Sequence, residues 1–547
     1  MRTFTLRPRS GLLALIIATA LVASACSATG NGSTTTTSSA TTSTEPIDYA
    51  GSDPAPEFPP DLDWINVPEP LTLDSLKGKI VLLDFWSYGC LSCIEAFSDL
   101  DRLQQEFPEE LVIITVHAGK FTNERETVNI VAAVERNRIT YPVINDSEYA
   151  IWSDWGIREW ASLVLIDPEG NIVGGQTGRN PYDIVQPVVA GLAAQFADTI
   201  DRTPLRAAPA IPPRPAGTLS FPGGVAVSGS DLFIADSGNN RIVRVNKTSG
   251  EVLTVYGTGT AGLTNGSPQE AQFDSPQGLV ASDDGTVLYV ADTNNHVVRS
   301  INLETGDVTT LAGTGEIATT PALALLDEVR LSYPWGLTIL DGVLYVAMAG
   351  MDQIWILDPT QNIALPAVGS SQQGNINGPL SQAQLAQPSG VTFSPDGLLY
   401  FADSQSSAIR WADTGNDAGR TGTVSGPPND LQDYGDVDGT GAEAHLQHPM
   451  ALVWDTTNSQ LIIADSYNSK LKTINIETFL TTTWLGGEQG FEDGDAPAFW
   501  EPGGLAIDGG VLYVADTNNH AIRVVDIETG QTSTLVLSGL ENFPVAN

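Results

Sequence analysis

From Phe221 to its end the chain repeats, and the repeat limits the possible folds more than any other feature. Six units open on Pro and small residues: Pro222-Gly223-Gly224, Pro276-Gln277-Gly278, Pro334-Trp335-Gly336, Pro388-Ser389-Gly390, Pro449-Met450-Ala451 and Pro502-Gly503-Gly504. Their spacings are 54, 58, 54, 61 and 53 residues. Each continues with an apolar run, a turn and a stretch such as Leu288-Tyr289-Val290-Ala291-Asp292, then a polar turn and another short apolar run. Four short strands per unit at this period predict an all-β, six-bladed β-propeller over residues 218–547. Asp236 with Arg244, Asp292 with Arg299, Asp403 with Arg410 and Asp516 with Arg523 are expected to pair within their blades. Their recurrence argues for structure rather than catalysis. The third unit departs from the pattern with Ala347-Met348-Ala349, and the fifth has Lys472 for Arg.

Residues 57–200 alternate strand and helix signals, as an α/β domain does. The pattern predicts strands at 79–86, 111–118 and 162–167, a short edge-like strand at 142–144, and helices at 91–107, 124–137 and 181–196. Between the first strand and first helix lies Trp86-Ser87-Tyr88-Gly89-Cys90-Leu91-Ser92-Cys93. Cys90 falls at a helix N-terminus, where free backbone N–H groups and the helix dipole favour a thiolate. Cys93, one turn further in, is placed to attack a mixed disulfide on Cys90. The spacing suits thiol–disulfide exchange.

The only other cysteine is Cys26. Three cysteines cannot build a disulfide scaffold, and with five histidines a closed Cys-type zinc site is not expected. No metal or other cofactor is called for. The acidic run Tyr434-Gly435-Asp436-Val437-Asp438-Gly439 lacks EF-hand spacing and reads as solvated loop.

The Trp86-to-Cys93 stretch resembles thioredoxins, which keep a Trp before a CxxC with three residues between. The resemblance implies a Cys90–Cys93 disulfide as the oxidised form. It also gives Asp84 a role, because thioredoxins hold a buried acid six positions before the first cysteine as proton acceptor for the second. A carboxyl in an apolar strand has a raised pKa, which suits a base near neutral pH; the alternative is a structural polar group bonded to backbone. Thioredoxins also set a cis-proline opposite the CxxC to hold substrate backbone. Here Gly156-Ile157-Arg158-Glu159-Trp160-Ala161-Ser162 stands in that place, with Ala161 where the proline belongs. A non-proline cis bond costs roughly 3 kcal/mol, so the loop beside Trp160 is expected to be trans or reshaped.

The start of the chain reads as an export signal. Arg2, Arg7 and Arg9 precede an apolar run at 11–22, and Ala23-Ser24-Ala25-Cys26 resembles a bacterial lipobox. The expectation is a lipoprotein-type signal at 1–25 with lipidation at Cys26; the alternative is ordinary cleavage after Ala25. Residues 26–56, rich in Ser and Thr, are expected to be a disordered tether. Residues 201–217, rich in Pro and Ala, read as a semi-rigid linker. The formal net charge of −40 argues against nucleic acid as a partner.

The blades resemble NHL repeats. A thioredoxin-like domain followed by six such units resembles the NHL-repeat-containing protein 2 family, with Val116-His117-Ala118-Gly119-Lys120-Phe121 and Tyr141-Pro142-Val143-Ile144-Asn145-Asp146 as further points of likeness. Two functions are expected to compete. One is a thiol–disulfide oxidoreductase on the outer face of a bacterial membrane, held only by its N-terminal lipid, whose propeller face recruits a protein partner or disulfide substrate. The other is a non-catalytic binding scaffold in which the propeller is the working part and the thioredoxin-like domain is vestigial or a structural spacer with a structural disulfide.

Overall fold

The computed structural model describes residues 47–179, 181–205, 217–415 and 418–543. The signal segment, Cys26 and most of the linker lie outside them.

The first domain is a seven-stranded sheet with helices on both faces. Its strands are β1 (Asp53–Pro54), β2 (Asp63–Ile65), β3 (Ile80–Trp86), β4 (Leu111–His117), β5 (Val143–Asn145), β6 (Ser162–Ile166) and β7 (Asn171–Thr177). Their order across the sheet is β1-β7-β6-β3-β4-β5-β2. Strands β3 and β4 are buried at every position, as continuous apolar strands in the middle of a covered sheet must be. Side chains alternate along β3. Leu82 and Trp86 join Cys93, Leu100 and Val189 in one core, while Val81, Leu83 and Phe85 join Ile114 and Ile151 in the other. The helices are α1 (Leu91–Glu106), α2 (Thr127–Arg136), α3 (Ala150–Asp154) and α4 (Tyr182–Gln195).

Three expectations need correction. Strand β5 is not an edge, because β2 pairs with it through Asp63–Asn145 and Ile65–Val143. The helix expected at 124–137 breaks: a 3-10 turn, Asn123–Arg125, precedes α2, and Glu126 between them is extended. The tether does not run to residue 56. The Tyr49 N–H donates to Gln195 Oε1 and the Gly51 N–H to Asp167 Oδ2, each at 2.9 Å, and β1 pairs with β7. The open edge of β7 takes up this segment's backbone groups.

The propeller is six antiparallel sheets, each built on four strands of one repeat unit with the Pro-led strand innermost; the third and fifth gain a short outer strand, Ala324–Leu325 and Gly439–Thr440, from the unit before. The residue before each opening Pro is left-handed: Phe221, Ser275, Tyr333, Gln387, His448 and Glu501 have φ between 45° and 52°. That conformation costs a non-glycine residue roughly 1–2 kcal/mol, and five of the six are held by a shared latch. The N–H groups of Phe221, Ser275 and Tyr333 donate to His520 Nδ1, Asn240 Oδ1 and His296 Nδ1 at 2.9, 2.9 and 3.3 Å. Those of Gln387 and His448 donate to Asp352 Oδ1 and Ser407 Oγ at 2.9 and 3.3 Å. Each acceptor lies in the preceding blade, so the Phe221–His520 bond joins the sixth blade to the first. The ring also closes through the C-terminal run, where the Val252 N–H donates to Ser538 O.

Buried Asp–Arg pairs join Asp292 to Arg299 at 2.9 Å, Asp403 to Arg410 at 2.7 Å and Asp516 to Arg523 at 2.8 Å. Lys472 takes the Arg place against Asp465 at 3.1 Å. In the first blade the expected pairing is wrong. Asp236 pairs with Arg241 at 2.7 Å, and Arg244 turns to Asp231. The reason is parity: seven residues separate Asp and Arg in the other blades, while eight separate Asp236 from Arg244, which puts Arg244 on the opposite face of its strand. In the third blade the equivalent places hold Met348 and Trp355, both fully buried.

Candidate redox site at the domain interface

Cys90 is the N-cap residue of α1, with φ −94° and ψ 102°, and is joined to Cys93 as a disulfide. Its carbonyl accepts from the N–H groups of Cys93 and Ile94 at 3.0 and 3.2 Å. Cys90 is half-buried, Cys93 fully buried. The Ser92 hydroxyl lies 3.3 Å from Cys90 Sγ.

Asp84 is fully buried on β3, and parity puts it on the Leu82 and Trp86 face, in the core that contains Cys93. Among the described residues neither of its oxygens has a hydrogen-bond partner. Burial pushes its carboxyl up to about 8. The alternative role, a polar group bonded to backbone, therefore does not fit. Trp86 is fully buried, edge-on to Phe97 and His117 at 5.1 and 4.8 Å. Trp160 Nε1 donates to Ala118 O at 2.7 Å. Ala161 is buried beside the same core at φ 58°, and no cis peptide occurs among the described residues. The loop is trans and left-handed where thioredoxins place proline.

The sequence did not reveal what surrounds this loop. His117, at the end of β4, accepts the Tyr88 N–H on Nε2 at 3.2 Å and stacks on the Tyr88 ring. Burial pushes it down to about 3, so it is neutral. Glu124, in the 3-10 turn before α2, is fully buried. It accepts the Gly89 N–H on Oε1 at 2.8 Å and the Phe121 N–H on Oε2 at 3.1 Å. Burial raises its carboxyl, opposed by these hydrogen bonds and by the Lys120 charge.

The CxxC end of the domain sits against the ring of left-handed residues. The Tyr88 hydroxyl and Asn123 Nδ2 donate to Glu501 Oε1 at 3.0 and 2.7 Å. Arg136 lies 3.4 Å from the same carboxylate and 3.1 Å from Asn518 Oδ1. Lys120 donates to the Gln405 carbonyl at 2.6 Å and to its Oε1 at 3.0 Å, while Gln405 Nε2 donates to Gly89 O. Phe121 packs among Tyr434, His448 and Tyr467 with ring centres 4.8, 5.3 and 5.5 Å away. Leu91, next to Cys90, packs on Tyr333 and Ala349. Between the domains lies a cavity of about 440 Å3, lined by Tyr88, Gly89 and Leu91 on one side and by all six ring residues on the other.

A thioredoxin-like domain whose CxxC end rests on a six-bladed propeller is the class this fold and site define. Residues 78–172 match the model of the thioredoxin-like family and residues 499–525 that of the NHL repeat. The chain is 36% identical over 535 residues to NHL repeat-containing protein 2 of Bos taurus, covering 90% of this chain and 72% of that protein. It therefore belongs to the NHL repeat-containing protein 2 family. It is also 36% identical over 509 residues to Protein SUPPRESSOR OF QUENCHING 1, chloroplastic, of Arabidopsis thaliana, covering 89% of this chain and 48% of that protein. The first domain alone is 32% identical over 119 residues to the thiol-disulfide oxidoreductase ResA of Halalkalibacterium halodurans, covering 22% of this chain and 65% of that one.

Proposed function

We propose that the protein is an exported, membrane-tethered thiol–disulfide oxidoreductase. The observation that carries this is Cys90 at the start of α1, with buried Cys93 behind it and Asp84 on the same core face. In the reducing direction, the Cys90 thiolate attacks a substrate disulfide, forming a mixed disulfide and releasing one substrate thiolate. Asp84 accepts the Cys93 proton, and the Cys93 thiolate attacks Cys90 Sγ, releasing the second substrate thiolate. Two electrons pass from the dithiol to the substrate, and the Cys90–Cys93 disulfide remains. Reduction of a model disulfide by wild type and by Cys90→Ser tests the step; equal rates end the reading. The propeller is the recruiting module, and its face away from the docked domain is the one open to a protein partner. Export by residues 1–25 and lipidation at Cys26 belong to the same proposal. Cys26→Ser should move the protein from the membrane to the soluble fraction, and an unchanged distribution counts against tethering.

A second reading, a binding scaffold, is favoured by left-handed Ala161 and by Leu91 packed beneath Tyr333. It expects the Cys90→Ser, Cys93→Ser double variant to keep partner binding wherever it still folds, with at most the loss of stability that removing a structural disulfide brings.

A further inference from the structure

We propose that Gln405, on the fourth blade, is a positioning residue for Cys90, so that the propeller completes the redox loop as well as recruiting to it. The inference rests on the exchange reading above.

Gly89 precedes Cys90 and has no side chain with which to brace itself. A Cβ there would stand 2.5 Å from Glu124 Oε1, 3.1 Å from the Tyr467 hydroxyl and 3.3 Å from Gln405 Nε2. The backbone is gripped instead. Its N–H is held by Glu124 of its own domain and its carbonyl by the Gln405 amide of the other. The Gly89 carbonyl and the Cys90 N–H belong to one peptide unit, and that N–H donates to Ser87 O at 3.0 Å. Holding the carbonyl therefore holds the turn that sets Cys90 at the head of α1, where the dipole acts on its sulfur.

Gln405 is itself fixed. It is buried, its N–H donates to Ala386 O, and its Oε1 and carbonyl both accept from Lys120 Nζ. The Lys120 carbonyl in turn accepts from the Tyr434 hydroxyl at 2.6 Å. The titratable groups around the loop are Glu124 on one side, Lys120 behind Gln405, neutral His117 under Tyr88, the Tyr88 and Tyr467 hydroxyls, Glu501 and Arg136 at the Tyr88 hydroxyl and ring, His448 stacked on Tyr467, and Asp84 in the core with Cys93. An uncharged amide can grip the carbonyl without adding a charge to this set.

The test uses the full chain with the pair reduced. Iodoacetamide alkylation of Cys90, read by peptide mass as a function of pH, reports its thiolate directly. Gln405→Ala should lower the neutral-pH rate about fivefold, the worth of one hydrogen bond, and move the profile to higher pH. Gln405→Glu keeps an oxygen for Lys120 but no donor for Gly89, and should do the same. Asn518→Ala removes an acceptor of Arg136 in the same interface but leaves the Gly89 carbonyl and its Gln405 donor in place, and should keep the wild-type profile. A wild-type profile in both Gln405 variants, or the same shift in Asn518→Ala, overturns the proposal. Turnover with Cys90→Ser is a separate readout, so a failed exchange reaction and a failed positioning role are told apart.

Discussion

The hydroxyl of Tyr88, two residues before Cys90, donates to the carboxylate of Glu501, the residue that leads into the sixth blade, at 3.0 Å. The same carboxylate accepts from Asn123 and faces Arg136, so one propeller side chain gathers three from the thioredoxin-like domain. Glu501→Ala would leave Arg136 and the Tyr88 hydroxyl facing an empty place. The expected cost is about 3 kcal/mol, typical of removing one partner from a buried pair. Urea unfolding reads it; a change below about 1 kcal/mol would mean that this junction does not hold the domains together.

Asp84 links the pH dependence of stability to the redox site. Its folded carboxyl titrates near 8, against 3.8 for the ordinary group. The folded state therefore holds an extra proton between those values. The stabilisation is complete below about pH 4 and is lost as pH rises to about 8, at about 1.4 kcal/mol per unit. Asp84→Asn should flatten this part of the profile relative to wild type. It should also prolong the mixed disulfide on Cys90, seen by mass after acid quench. An unchanged stability difference across that range would contradict the burial of a lone carboxyl.

The first blade separates a fully buried ion pair from a partly exposed one. Arg241 and Asp236 have side chains 2% and 0% exposed, Arg244 and Asp231 27% and 12%. Arg241→Ala should cost about 3–5 kcal/mol, because a carboxylate loses its counter-charge in the core. Arg244→Ala should cost about 1 kcal/mol or less. Thermal unfolding of the two variants orders them, and the reverse order would restore the pairing expected from sequence.

Gly89→Ala should pry Glu124 from the loop, since the new methyl carbon would meet its carboxylate oxygen at 2.5 Å. The expected loss is about 2 kcal/mol, from a buried carboxylate and a backbone N–H left without each other. Alkylation of Cys90 should slow in parallel. A variant as stable as wild type would show that the loop is not gripped at Gly89.

The six blades were legible because their opening prolines recur at nearly constant spacing, and Cys90 was legible because a helix pattern starts at the cysteine. The Asp236 partner was misread because seven and eight residues look alike in a list and point opposite ways on a strand. Gln405 carried no local signal: 316 residues separate it from Gly89, and no periodicity spans a domain boundary. Glu501 and His448 did leave one, as the residues before two of the recurring prolines. Their left-handed backbone, which turns all six such residues toward the cavity, becomes visible only in the assembled ring.

Whether the Cys90–Cys93 pair is a working redox couple is decided most directly by its reduction potential, measured in thiol buffers and followed by the fluorescence of Trp86. A value between those of thioredoxin and of strong disulfide donors, about −270 to about −120 mV, is expected for an exchange site whose first cysteine heads a helix. A pair that stays oxidised well below about −300 mV would be a structural disulfide, and would contradict the exchange reading in favour of the scaffold.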